Sequence, residues 1–247
     1  MKRFFGALLS GLILWAMPLA AQDNAKPDRI ILVELFTSQG CYSCPPADKI
    51  LEAMTHEPDL LPLSLHVDSW DQLGWKDIFA LPQFSERQMS YNAQIIKRSR
   101  RVTPQMIFNG IAEVAGGGKR SKAIINKTLK ILRSRDEFAD VEITRNGNNV
   151  SLTLSTPHNG LGEADISLVR FSPSETVKID RGENAGKRIT YHNVVHAFDV
   201  VARWNTAKNA EVKFELPNSD DEFAVIVQGK RFGPVYVARR LPAGADS

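Results

Sequence analysis

Two cysteines, Cys41 and Cys44, are the whole thiol complement of the 247-residue sequence, and they stand together as Cys41-Tyr42-Ser43-Cys44. A pair this close is a poor staple, because the entropy a disulfide removes from the unfolded chain grows with the length of the loop it closes. The same C-x-x-C spacing suits reversible chemistry, a dithiol that exchanges with a disulfide. Two other readings stay open. Thiolates also hold Cu(I) or Zn(II), but zinc needs further ligands and the sequence has no second cysteine pair. His192 and His196 sit four residues apart on or near a predicted strand, where core and surface roles are commoner than metal ligation. The remaining reading is a non-enzymatic binding protein with an inert disulfide.

The compartment bears on this choice. Lys2 and Arg3 precede an apolar stretch from Phe4 to Leu19 that Pro18 interrupts, and Ala20-Ala21 supply small residues before Gln22. That order predicts a secretory signal peptide over 1–21, with Leu19 an imperfect cleavage-site residue. The run is shorter than the roughly 20 residues of a spanning helix, and no cysteine near the cleavage region offers a lipid anchor. The expectation is a periplasmic or secreted protein with no stable membrane insertion after cleavage. Loss of Lys2 and Arg3 takes Lys+Arg from 31 to 29 against 28 Asp+Glu, a net charge near +1. Such a balance leaves no electrostatic footprint for nucleic acid. The basic cluster Lys97, Arg98, Arg100 and Arg101 reads as a solvated helix end that could also favour a nearby thiolate.

Arg29–Phe36 is apolar on both faces apart from Glu34 and predicts a strand covered on both sides. Thr37-Ser38-Gln39-Gly40 is a loop, and Pro45-Pro46 starts a helix that continues through Met54. The cysteines thus lie where a buried strand hands over to a helix, whose unsatisfied N–H groups and dipole favour a thiolate. Leu61–Val67 is a second strand, ending at His66-Val67-Asp68. An insertion over 69–101 follows, with a helix over Gln83–Ile96 that puts Phe84, Tyr91 and Ile95 on one side. Val102–Phe108 and Ile111–Ala115 read as strands joined by an Asn109-Gly110 turn, and Ser121–Arg133 as a helix. His66, Asp68, Trp70 and Trp75 could shape a rim around the dithiol; for the tryptophans core packing is the plainer reading.

Strand, C-x-x-C opening a helix, strand, and a later strand entered through Val102-Thr103-Pro104 resemble the thioredoxin fold over about 28–134. More narrowly, VELFTSQGCYSCPPAD, HVDSWDQLGWKD and TPQMIFNG are similar to a secreted bacterial family called domain of unknown function 1223. The superfamily resemblance implies that Pro104 is cis and faces the dithiol, with Thr103 beside it. It also implies that Cys41 is the attacking thiolate, Cys44 the resolving thiol, and Glu34 the buried acid that assists proton transfer. Apolar flanks should raise the Glu34 pKa. Tyr42-Ser43 differ from the Gly-Pro of thioredoxin, and the loop before Cys41 is longer by one residue, so a redox potential does not carry over.

From Phe138 onward the pattern alternates. A hairpin turns at Asn146-Gly147, and strand-like runs follow at Ala164–Phe171, Thr176–Ile179, Ile189–Trp204, Val212–Leu216, Phe223–Val227 and Val235–Ala238. The expected architecture is an α/β thioredoxin-like domain followed, over 138–247, by a mainly β, sandwich-like accessory domain. The turn-rich segment Arg181–Gly186 reads as a connection or a recognition loop. The functional expectation is an exported thiol-disulfide oxidoreductase that works through a mixed disulfide. Its partners are protein thiols or disulfides, with no resident cofactor or metal; oligomeric state and the direction of electron flow stay open.

Overall fold

The computed structural model describes residues 30–97, 99–135, 139–157 and 161–243, with the side chain of Ile96 excepted. The expected signal peptide over 1–21, together with Arg98 and Phe138, lies outside the described residues. In the first half, β1 (Ile31–Thr37) leads through the C-x-x-C into α1 (Pro45–Met54), and β2 (Leu60–His66) follows. A 3₁₀ helix at Asp68–Leu73 and α2 (Pro82–Tyr91) fill the insertion, and the last turn of α2 widens into a π-helix at Asn92–Ile96. Then come β3 (Gln105–Phe108), β4 (Ala112–Ala115) and α3 (Lys119–Arg133). Among the described residues of the second half the elements are strands: β5 (Asp140–Asn146), β6 (Asn149–Ser155), β7 (Glu163–Lys178), β8 (Arg188–Asn205), β9 (Ala210–Glu215), β10 (Glu222–Gly229) and β11 (Val235–Arg240).

The protein is mixed α/β, built on one large, mostly β sheet of eight strands in the order β11-β10-β7-β8-β2-β1-β3-β4. The strands expected to form a sandwich of their own extend the sheet of the first half. β8 lies parallel to β2, bridged at Ser64 and Val194. Pro62 in β2 has no N–H to offer a neighbouring strand, and the Asn193 side chain ties the junction by donating to the Pro62 carbonyl at 2.6 Å. At 16 and 18 residues, β7 and β8 are longer than sandwich strands need to be. Thr176–Ile179, which reads as a separate run, belongs mostly to the far end of β7. That length carries the β7–β8 hairpin back to the C-x-x-C. Only the small sheet, β5-β6-β9, gives a second β layer: Val150, Leu152 and Leu154 share a core with Ile166, Trp204 and Val225.

β1 shows why the first half folds as it does. Its odd residues Ile31, Val33 and Leu35 pack with Leu51 of α1 and Ile125 of α3, while Leu32 and Phe36 pack with Phe84 and Tyr91 of α2. Alternation puts Glu34 on the α2 face, opposite α1. There its carboxylate accepts from Arg87 Nε at 2.6 Å and from the Tyr91 hydroxyl at 2.6 Å. Arg87 also donates to Gln228 of β10 at 2.9 Å and lies 3.9 Å from the Phe198 ring centre. The expected part of Glu34 in proton exchange with Cys44 is therefore corrected: the acid is neutralised by an arginine on the wrong side of the sheet. It is a buried joint between β1, α2 and β10.

A buried ion pair is costly to break from one side, because the surviving charge is stranded. Arg87→Met should therefore destabilise the protein by about 3–5 kcal/mol in urea unfolding. The double variant Glu34→Leu, Arg87→Met should be more stable than Arg87→Met alone, and equal or lower stability would contradict this account of the joint.

Candidate functional site

Cys41 and Cys44 form a disulfide with sulfurs 2.17 Å apart, and both residues are 0% exposed. Cys44 is the N-cap of α1, and its carbonyl accepts from Ala47 and Asp48 at 2.8 and 3.1 Å. The first two helical residues are Pro45 and Pro46, which carry no N–H. The helix start thus offers fewer free donors to a thiolate than the C-x-x-C position suggests.

A side chain supplies a donor instead. The Thr103 hydroxyl donates to Cys41 Sγ at 3.2 Å and accepts from Trp70 Nε1 at 2.8 Å. A hydroxyl has one hydrogen; with the indole N–H on its oxygen, that hydrogen is left for the sulfur. The Thr103–Pro104 peptide is cis, and Ser43 Oγ reaches the Thr103 carbonyl at 3.4 Å. Of the basic cluster, Arg101 sits beside this group, donating to Ser69 Oγ at 3.1 Å. Lys97 closes the π-helix in the left-handed region, with φ at 57°.

The other wall comes from the tip of the β7–β8 hairpin. Asn184, 0% exposed, donates from Nδ2 to the carbonyls of Gln39 and Cys41 at 2.8 and 2.9 Å. Its Oδ1 accepts from Lys187 Nζ at 2.7 Å, and that ammonium lies 4.9 Å from the Tyr42 ring centre. Glu183 accepts the Tyr42 N–H at 3.1 Å. Gly182 has φ at +76°, and a Cβ there would meet Trp75 Cβ at 3.1 Å, so the turn needs glycine. The segment Arg181–Gly186 is more than a connection: it braces the cysteine loop. The sequence carries no distinguishing signal for this, since asparagine and glycine are explained by the turn itself.

Beneath the loop lies a buried polar group. Trp75 Nε1 donates to Gln39 Oε1 at 2.8 Å, and the Gln39 N–H donates to Asp77 Oδ2 at 2.7 Å. His66 Nδ1 meets the same Asp77 oxygen at 2.7 Å, while the His66 ring packs edge-on against Phe79 and Tyr191. Burial alone would raise Asp77, but His66 and the N–H groups of Gln39 and Phe79 hold it below the usual carboxylate range. Asp68 stands apart, accepting from Ser85 of α2 at 2.5 Å. Of the expected rim, Trp70 reaches the sulfur through Thr103, Trp75 braces Gln39, and His66 lies wholly buried below.

Asp48 is the acid on the cysteine side of the sheet. It follows Cys44 by one helical turn, a spacing that puts Cβ atoms about 5–6 Å apart. Burial raises its carboxyl to about 7, against the opposing pull of the Thr37 hydroxyl, which donates to Oδ1 at 2.8 Å, and of His66. Asp48 Oδ2, Ser64 Oγ and His66 Nε2 are buried without a hydrogen-bond partner. Thr37 and His66 are register partners in β1 and β2, so both face α1 with Asp48. Asp48 was legible as the residue four after Cys44, but an acid in the first turn of a helix is also explained by the helix dipole. Among the described residues no group of three His, Cys, Asp or Glu could hold a metal ion. His196 Nε2 meets Ser172 Oγ at 3.0 Å.

The raised Asp48 pKa has a stability consequence. The folded state binds this proton up to about pH 7, whereas an unfolded aspartate releases it near 3.8. Its contribution is full below about 3.8 and is lost as pH rises through about 7. Asp48→Asn should therefore flatten melting temperature against pH between 4 and 8 and stabilise the oxidised protein most at the alkaline end. A variant whose profile ran parallel to the parent's would show that Asp48 does not titrate in this window.

Among curated proteins none matches this chain. A crystal structure of a protein from Agrobacterium tumefaciens is similar, with 30% identity and a TM-score of 0.71 over 89% of this chain and 97% of that one. The sequence model of a family described as "Protein of unknown function (DUF1223)" matches residues 32–228. With most of its length inside that match and its disulfide at the head of α1, the chain belongs to the DUF1223 family.

Proposed function

We propose that this protein is an exported thiol-disulfide oxidoreductase whose working group is the Cys41–Cys44 pair. The observation that carries the reading is the hydroxyl of Thr103, oriented by Trp70 and donating to Cys41 Sγ at 3.2 Å. A donor fixed on one sulfur stabilises that sulfur as a thiolate when the disulfide opens. The order β1, C-x-x-C, α1, β2 and the placement of Thr103 ahead of β3, against Cys41, support a thioredoxin-like unit over 28–134. In this reading the strands from 138 onward are an accessory β-rich unit joined to it through β8. Among the described residues no helix is long and apolar enough to cross a membrane. The reading places the mature chain in the periplasm or outside the cell.

The chemistry is an exchange of two electrons. A substrate thiolate attacks Cys41 Sγ, a substrate–Cys41 disulfide forms, and Cys44 leaves as a thiolate. Asp48, protonated in part near neutrality, gives its proton to Cys44. A second substrate thiolate then attacks the substrate sulfur and releases Cys41. The substrate's two thiols are oxidised to a disulfide and the protein's disulfide is reduced to a dithiol. Run backwards, the Cys41 thiolate attacks a substrate disulfide, and Cys44, losing its proton to Asp48, resolves the complex. Both directions use the same residues: Cys41 as nucleophile, Cys44 as resolving thiol, Thr103 as donor to sulfur and Asp48 as proton store.

Cys44→Ser should let Cys41 capture partner proteins without releasing them, so reducible mixed disulfides should accumulate in the periplasmic fraction. Cys41→Ser should trap far fewer, since Cys44 at the helix start lacks the Thr103 donor. An inert disulfide gives no reproducible partner in either variant, and that result would end the oxidoreductase reading.

A further inference from the structure

The backbone on either side of Cys41 is held from within its loop, where the Ser38 carbonyl accepts the Cys41 N–H at 3.1 Å and the Cys41 carbonyl accepts the Cys44 N–H at 3.2 Å, and also from outside it. Gln39 is bonded at N–H to Asp77 and at its carbonyl to Asn184. The carbonyl of Cys41 takes Asn184, and the N–H of Tyr42 takes Glu183. Asn184 is the common member, and it stands 143 residues along the chain from Cys41. Its amide has two hydrogens, and they reach the two carbonyls that bracket Gly40. A Cβ at Gly40 would sit 3.1 Å from Trp70 Cβ, so the loop is pressed against the tryptophan that orients Thr103.

We propose that Asn184 is the positioning residue of this site: its amide holds the Cys41 backbone so that Sγ stays beneath the Thr103 hydroxyl and out of solvent. Asn184 is wholly buried; without its amide the Gln39 carbonyl loses its donor, while the Cys41 carbonyl keeps the Cys44 N–H at 3.2 Å. The Gln39 carbonyl regains a partner only if the loop moves toward water. That movement separates Sγ from Thr103, which both exposes the disulfide and weakens the donor that favours a Cys41 thiolate. The β7–β8 hairpin therefore regulates how readily the sulfur reacts, although it contributes no reacting atom. This inference deepens the oxidoreductase reading and concerns the same sulfur. Its readouts use small reagents, so they are separate from whether any protein partner is trapped.

The test uses the purified oxidised protein with dithiothreitol, followed by iodoacetamide labelling of reduced Cys41 across pH. Asn184→Ala should open the disulfide about tenfold faster, and the pH profile of Cys41 labelling should move up by about half a unit or more. The charged groups on the elements packed around the loop are Glu183 and Lys187 on the hairpin, Arg101 beyond Thr103, Asp48 on α1, and His66 with Asp77 below Gln39. All are retained in this variant. Lys187→Met removes the bond to Oδ1 but keeps both amide hydrogens, and should leave the opening rate within about twofold of the parent. If Asn184→Ala fails to fold, Asn184→Leu keeps the branched side-chain shape. It deletes both donors without adding a charge, and Lys187→Met controls for the lost acceptor, so it should show the same two shifts. A folded Asn184 variant with the parent's opening rate and labelling profile, changed only in melting temperature, would overturn the proposal.

Discussion

One asparagine amide closes the structure around its disulfide. Asn184 gives its two hydrogens to the carbonyls of Gln39 and Cys41, and much of the tertiary arrangement is what brings it there. β8 must run beside β2, and the β7–β8 hairpin must outrun the small sheet to reach the C-x-x-C. A separate C-terminal domain on a loose linker could not hold an amide within 3 Å of two chosen carbonyls. The continuous eight-stranded sheet can, because its strands register the hairpin against β2.

The two faces of β1 divide the polar burial between stability and chemistry. On the α2 face, Glu34 and Arg87 neutralise each other and join with Tyr91 and Gln228, away from the cysteines. On the α1 face, Asp48, Ser64 and His66 each keep one buried atom without a partner. An unmade bond in the interior costs free energy, and the α2 face has one as well, at Gln88 Oε1. What sets the α1 face apart is Asp48, whose carboxyl burial raises to about 7 on the helix that the cysteines open.

Most elements of the first half are legible in the sequence because their periodicities are strong and the turn residues are explicit. Asn109-Gly110 and Asn146-Gly147 end strands where hairpins need them, and Pro45-Pro46 opens α1. Glu34 is legible as buried, but a strand apolar on both faces does not reveal which face an acid occupies. Its partner Arg87 lies 53 residues on, in a helix that periodicity marks through Phe84, Tyr91 and Ile95. That the later strands extend the sheet of the first half is hidden for a related reason. Alternation tells a strand from a helix but not which strand it joins, and the join combines a single backbone bridge, the Asn193 side chain and a core that Leu63 and Leu65 share with Val169, Phe171 and Val195. Asn184 is hidden most deeply, since every residue of its turn has a sufficient local explanation. Only three-dimensional proximity gives it a second role.

The central claim is that the Cys41–Cys44 bond is made and broken in the protein's working life, and its reduction potential measures this most directly. Equilibration with glutathione, read by the fraction of free thiol, gives the value. The account predicts a potential in the range of working thiol-disulfide proteins, from about −270 to about −120 mV. Structural disulfides lie below about −300 mV, and a value there would contradict it.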